Sequence, residues 1–252
     1  MRLRRIYVKI DLLRRNLSKG ERDMKIGGFQ KLTALDYPGK IACTVFTHGC
    51  PFRCGFCHNA ALVTDNKPEC IDIDELFSYL QKRRGVLDGV AVTGGEPLMQ
   101  PDLTDFLRRV KDMGYHVKLD TNGAYPEALR RCLEEGLVDY VAMDIKNSPE
   151  KYAATCGLAH VDIDIIRQSI ELIMNSDVDY EFRTTAVREL HSDADFEAMG
   201  ELIKGAKRWF IQLFVDSGGL ISSGFSAPGK EDMERWKAVS GKFAENVELR
   251  GI

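Results

Sequence analysis

The sequence predicts an α/β protein whose parallel strands form an incomplete, laterally open (β/α)6 barrel. Three observations carry that prediction. Short apolar runs with strand character alternate with amphipathic helical stretches, which implies right-handed crossovers and a parallel sheet. Six runs read as strands and a short seventh follows them, fewer than the eight that close a (β/α) barrel. The polar and glycine-rich groups fall just after the strands, at the sheet edge where parallel α/β folds build their sites. A doubly wound open sheet is the competing arrangement, but the glycine-rich phosphate loop that would follow its first strand is missing.

The elements are justified in turn. Asp36-Tyr37-Pro38-Gly39 is a turn signal, since proline fixes φ and glycine permits positive φ. Ile41–Phe46 follows as the first strand and runs into a loop of three cysteines. Asp72 or Asp74 caps a helix that reaches about Arg84, with Leu76, Phe77 and Leu80 on one face. Gly89–Thr93 is a buried strand ending in Gly94-Gly95-Glu96-Pro97. A helix from Asp102 through Met113 precedes the strand His116–Leu119, which ends at Asp120-Thr121-Asn122-Gly123. The helix Pro126–Glu135 leads to the strand Tyr140–Ile145. Next come a helix near Asp162–Met174, the strand Tyr180–Thr185, a helix Asp195–Lys204 and the strand Trp209–Val215. Glu231–Phe243 is the last helix and Val247–Leu249 the short final strand.

Composition bounds the function. The 252 residues, 44% hydrophobic and 29% charged, suit an ordinary globular chain with a substantial core. A net charge of −3 gives no global reason to expect nucleic acid or an anionic membrane as partner. No apolar run approaches the roughly 18–20 residues of a membrane span, and the start lacks the apolar core of a secretory signal, so a cytoplasmic setting is expected. Residues 1–23 carry eight Lys/Arg against three Asp/Glu. They are expected to be a poorly ordered basic extension, with an arm for an acidic partner as the alternative, and residues 24–252 to form one domain.

The seven cysteines of a cytoplasmic chain suggest metal or catalysis before disulfides. Cys50, Cys54 and Cys57 stand at C-x3-C-x2-C spacing in one short loop. Thiolates so close in sequence can converge on one metal centre, and soft sulfur suits zinc or an iron–sulfur cluster. A closed structural site usually takes four protein ligands, so three leave a coordination position open for chemistry. The alternative is a zinc site completed by His58 or His48. Cys43, Cys70, Cys132 and Cys156 form no second motif and read as small buried residues.

The cysteine loop after a first strand, with Gly94-Gly95-Glu96-Pro97 ending the second, resembles the radical S-adenosylmethionine (SAM) superfamily and its partial (β/α) barrel. That resemblance implies a [4Fe–4S] cluster on Cys50, Cys54 and Cys57, whose fourth iron chelates S-adenosylmethionine. Asp36-Tyr37-Pro38-Gly39, the His58-Asn59 pair after Cys57, and Asp144-Ile145-Lys146 are similar to features of the activating enzymes of glycyl-radical enzymes. Leu35 to Lys40 followed by Thr47-His48-Gly49-Cys50 resembles in particular the activating proteins of anaerobic ribonucleoside-triphosphate reductases. The resemblance runs from about Ile26 to Val215.

The resemblance also implies roles, each with an ordinary alternative. Phe56 matches an aromatic that packs near the adenine; the ordinary alternative is a loop aromatic that merely buries itself. Gly94, Gly95 and Glu96 match the segment that meets the cofactor's amino group, and the same residues make a tight strand-to-helix turn. Asp120 and Asp144, with Thr121, match carboxylates that help bind a monovalent cation near the methionine end, against helix capping and solvation. Lys146 and Arg183 fit donors toward carboxylate or ribose, or a surface ion pair. A ribose-contacting histidine of some activases is missing: the segment reads Gln212-Leu213-Phe214-Val215-Asp216, where Gln212 could substitute.

The implied chemistry is one-electron reduction of the cluster and homolysis of the cofactor's C5′–S bond. The resulting 5′-deoxyadenosyl radical takes hydrogen from a glycine Cα in a partner enzyme. The implied partner is a glycyl-radical enzyme, foremost anaerobic ribonucleotide reductase, with a flavodoxin or ferredoxin as electron donor. Neither nucleic acid nor membrane is expected as partner. The rival readings are a formate-lyase-type target, modification of a small molecule or tRNA precursor base, and a non-enzymatic zinc module.

Overall fold

The apolar run after the Asp36–Gly39 turn forms β2 (Ala42–Thr47), buried on both faces as a central parallel strand must be. In the computed structural model, which describes residues 24–65, 69–216 and 218–252, the strands after it add in sequence order. They are β3 (Gly89–Gly94), β4 (His116–Thr121), β5 (Tyr140–Asp144), β6 (Asp179–Ala186), β7 (Ala206–Leu213) and β8 (Ala244–Arg250), each parallel to the one before. On its other side β2 pairs antiparallel with β1 (Ile26–Thr33). Among the described residues β1 and β8 are the free edges, so the sheet is open, as expected. The seventh parallel strand is longer than Val247–Leu249. The edge strand β1 is an addition that the sequence reading omitted. Gly27 and Gly28 blur its period, and two irregularities in its register with β2 show that backbone pairing decides it.

Side chains alternate along the parallel strands. One set runs in register from strand to strand: Cys43 beside Val90 and Val117, Leu119 beside Val141 and Tyr180, Met143 beside Phe182 and Trp209. All are buried in the main core, beneath the helices. The other set, including Lys118, Asp120, Asp144, Glu181 and Arg183, is largely polar. It lies on the concave face, for the Arg183 side chain of β6 reaches Asp120 of β4 across β5.

The covering helices start where their caps dictate. In α2 (Ile73–Lys82) the Asp72 carboxylate accepts from Asp74 N, and in α6 (Ile163–Met174) Asp162 does the same for Asp164 N. The short α1 (Ala60–Thr64) precedes α2, and α3 (Leu103–Asp112), α4 (Pro126–Glu134) and the short α5 (Tyr152–Thr155) lie between α2 and α6. In α7 (Asp193–Leu202) Ser192 is the cap and Asp195 its reciprocal partner, so the helix begins before the Asp195 expected from sequence. The last helix, α8 (Lys230–Ser240), precedes β8.

The Asp36–Gly39 turn fills the concave face at its lower end. Tyr37 is buried, its ring 6.0 Å from that of Tyr140, and its hydroxyl donates to Val117 O at 3.5 Å. Gly89 leaves room for it: a Cβ there would sit 3.1 Å from the tyrosine ring. Among the described residues no helix is long and apolar enough to cross a membrane. The basic extension over residues 1–23 lies outside the described residues.

Candidate active site

The cysteine loop springs from the C-terminal end of β2 and is fastened to the end of β3. Gly95 N donates to Thr47 O and Glu96 N to Gly49 O, both at 2.8 Å. A Cβ on Gly95 would lie 1.9 Å from Gly49 O, and one on Gly94, at φ +112°, 2.4 Å from Thr47 N. The paired glycines are therefore required so that two strand ends can touch at the root of the loop. Both also line a cavity of about 270 Å³, near the lower end of the usual range for small-molecule sites.

Cys50, Cys54 and Cys57 share the wall of this cavity with Phe56. Burial pushes the Cys50 thiol up to about 12 and also raises Cys57, while a hydrogen bond with the Cys156 thiol brings Cys54 down to about 7. Among the described residues no three His, Cys, Asp or Glu side chains gather to hold one metal ion. The donor set of three soft thiols, with the cation Lys146 acting on each, fits a thiolate-held iron–sulfur cluster. Of the other cysteines, Cys43, Cys132 and Cys156 are buried as expected. Cys70 is exposed, because it lies in the loop before α2 rather than on an element face.

Opposite the thiols, the ends of β4, β5 and β6 carry a continuous charge network. Arg183 donates through Nε to Asp144 at 3.0 Å and through Nη1 to Asp120 at 3.1 Å. Lys146 Nζ donates to Asp144 at 2.9 Å, and Lys118, itself buried, pairs with the far side of Asp120. Burial alone would raise both carboxyls, but Arg183 and the lysines outweigh it, holding Asp120 low and Asp144 at about 2. The same carboxylates raise Lys146 and Arg183 against their own burial. Three cations face two carboxylates. The place between Asp120 and Asp144 that a monovalent cation was expected to take is bridged by a guanidinium.

Glu96 departs from its expected role. It is fully buried, and its oxygens accept from Thr121 Oγ1 at 2.8 Å, Leu98 N at 3.0 Å and Asn122 N at 2.7 Å. Its carboxyl therefore ties the end of β3 to the end of β4 instead of lining the cavity, and burial raises it to about 7. The turn reading of Gly94–Pro97 holds for this side chain. Thr121 is spent in the same tie.

Several groups behind the site had no sequence signal. His191 accepts from Val187 N through Nδ1 at 3.1 Å and donates through Nε2 to Lys146 O at 3.0 Å, and burial lowers its basicity. It steadies the strand end that carries Lys146. The segment between β7 and α8 crosses the cysteine loop: Ser222 N donates to Gly55 O at 2.9 Å, and Phe225 meets Phe56 edge-on at 6.0 Å. Phe56 is thus buried and also lines the cavity. Gln212 lines it too, whereas Lys118 could be found only from its concave-face position two residues before Asp120.

Comparison with known proteins gives the family and the fold. A protein of Methanocaldococcus jannaschii, provisionally named a glycyl-radical enzyme activating enzyme, is 28% identical over 233 residues, 90% of this chain and 96% of its own. The pyruvate formate-lyase-activating enzyme of Clostridium pasteurianum is 30% identical over 159 residues, 59% of this chain and 64% of that protein. In fold, the chain resembles Streptococcus suis SuiB bound to S-adenosylmethionine, with a TM-score of 0.61 at 13% identity, covering 81% of this chain and 48% of that one. A domain of pyruvate-formate lyase-activating enzyme from Bacteroides vulgatus aligns with a TM-score of 0.50 at 18% identity, covering 65% of this chain and 99% of that one. The profile of the radical SAM superfamily matches residues 44–203, which span the cysteine loop and every strand-end group as far as Arg183, and this chain belongs to that superfamily.

Proposed function

We propose that this protein is an activase that cleaves S-adenosylmethionine at a [4Fe–4S] cluster held by Cys50, Cys54 and Cys57, and generates a glycyl radical on a partner enzyme. The observation that carries this reading is the meeting, in one cavity, of the three thiols with Asp120, Asp144, Lys146 and Arg183. The names of the relatives support the activase class. When bound, the cluster and cofactor supply one-electron cleavage of the sulfonium and abstraction of a hydrogen atom from a glycine Cα.

The chain's own residues bind and orient. Lys146 and Arg183 are the donors for the cofactor's carboxylate or ribose, fixed in aim by Asp120 and Asp144. Gly94 and Gly95 let backbone come close to the amino end. Phe56, backed by Phe225, presents an apolar wall to the adenine and limits water. Gln212, which lines the same cavity, is our candidate for the contact to a ribose hydroxyl.

The partner we infer is an anaerobic ribonucleotide reductase, from the wording of Leu35–Lys40 and Thr47–Cys50, with a flavodoxin or ferredoxin donor in an anaerobic cytoplasm. A formate-lyase-type partner is the second reading, favoured by the relatives that carry that name. Electron paramagnetic resonance on reduced, reconstituted protein with S-adenosylmethionine and each candidate enzyme separates them. A glycyl-radical doublet on the reductase is expected. A doublet only on a formate lyase would move the partner, and cofactor cleavage with neither would overturn the activase reading.

A further inference from the structure

Asn122 stands at the end of β4, where neither the charge network nor the cofactor contacts assign it a task. Its backbone is locked, because Asn122 N donates to Glu96 Oε2 at 2.7 Å. Its side chain is locked too, since Oδ1 accepts from Ala124 N at 2.9 Å. That bond settles which end of the amide is which: the oxygen must face the Ala124 N–H, so the NH2 group faces the other way. It faces the Cys50 sulfur, with Nδ2 3.5 Å from Sγ. The residue is buried, so little water competes for this donor. Phe52 N, at 3.4 Å, is the second donor to the same sulfur.

A hydrogen bond to a ligating sulfur acts on electron affinity. Reduction adds one negative charge that spreads onto the thiolates, and a fixed donor stabilises the more negative form. We propose that Asn122 is a positioning residue that sets the redox poise of the centre, its amide donating to Cys50 and raising the reduction potential. The inference rests on the reading that Cys50 ligates a [4Fe–4S] cluster. The Gly94–Pro97 turn then has a purpose beyond packing, because Glu96 holds the Asn122 backbone from which the donor is aimed.

The test compares the wild type with Asn122→Ser and Asn122→Ala, all anaerobically reconstituted, by dithionite titration with redox mediators followed by electron paramagnetic resonance. Ser keeps a hydroxyl that can accept from Ala124 N but is too short to reach Cys50; Ala removes both bonds. The usual net worth of a hydrogen bond puts the expected fall in the reduced-to-oxidised ratio at about threefold to tenfold at fixed poise. Tenfold corresponds to about 59 mV for one electron. Both variants should titrate at lower potential than the wild type, with iron and sulfide counts unchanged. Full clusters with an unmoved midpoint would overturn the proposal, and so would loss of the cluster in both variants, which would make Asn122 a structural support. A wild type that takes up no iron would instead refute the cluster reading itself.

Discussion

Glu96 shows how one side chain can belong to a ligand motif and yet serve the scaffold. Both carboxylate oxygens are filled by donors, so Glu96→Gln must turn its NH2 toward the N–H of either Leu98 or Asn122. At pH 8 a loss of about 1–3 kcal/mol in denaturant unfolding is expected. Because the folded carboxyl is raised to about 7 by burial, its proton is held in the folded state where the unfolded chain has lost it. The contribution is therefore fullest below the unfolded value near 4.5 and declines as pH rises to about 7. Across that window the margin of the wild type over the Gln variant should narrow as pH rises; His191, whose basicity burial lowers, pulls the other way but equally in both, and cancels from the difference. Cys54→Ala should remove the visible iron–sulfur absorbance on reconstitution while far-ultraviolet circular dichroism stays native. A variant that keeps wild-type iron content would unseat the ligand assignment. The thiols were legible from spacing alone, but Glu96's partners were not, since Thr121 and Asn122 reach it only when β3 and β4 are neighbours.

At the scale of elements, the end of β3 and the root of the cysteine loop behave as one unit. Gly95→Ala would drive a Cβ to 1.9 Å from Gly49 O, and backbone on both sides leaves nothing flexible to yield. Reduced melting temperature together with poor iron uptake is expected, whereas Gly114→Ala, with open space around it at φ +87°, should show only the smaller cost of a strained backbone. The segment after β7 is the second fastening. Phe225→Ala should leave most of the fold and speed iron loss to a chelator, because Gly55 and Phe56 lose the ring they pack against. Element order was readable from the alternation of strands and helices. The edge strand β1, the early start of α7 at its Ser192 cap and the strap over the cysteines were not, because each is decided by a partner distant in sequence or by a reciprocal cap.

Across the whole molecule the curved sheet separates two chemistries. Its convex face carries the apolar core, and its concave face carries charge from Lys118 up to the cavity, with Tyr37 filling the lower end. At the β8 edge, Arg250 reaches across β7 and forks onto the buried Glu181 of β6 at 2.9 and 3.0 Å. Arg250→Ala would leave that carboxylate with Tyr140 as its remaining close donor among the described residues. A loss of about 3 kcal/mol by chemical denaturation is expected, with the midpoint of the bound cluster unmoved because Glu181 lies below the network that faces the thiols.

The sequence by itself determined the α/β class, the open parallel sheet, the edge on which the site stands and the three thiols. All four are local properties, carried by periodicity and spacing within short stretches. Only the tertiary structure decided what the polar residues at that edge do. Arg183 is shared between two carboxylates on two other strands, Glu96 is withdrawn into a clamp, and Asn122 is aimed at a sulfur 72 positions away along the chain. A side chain's residue type sets which bonds it can make, but the curl of the sheet chooses the partner.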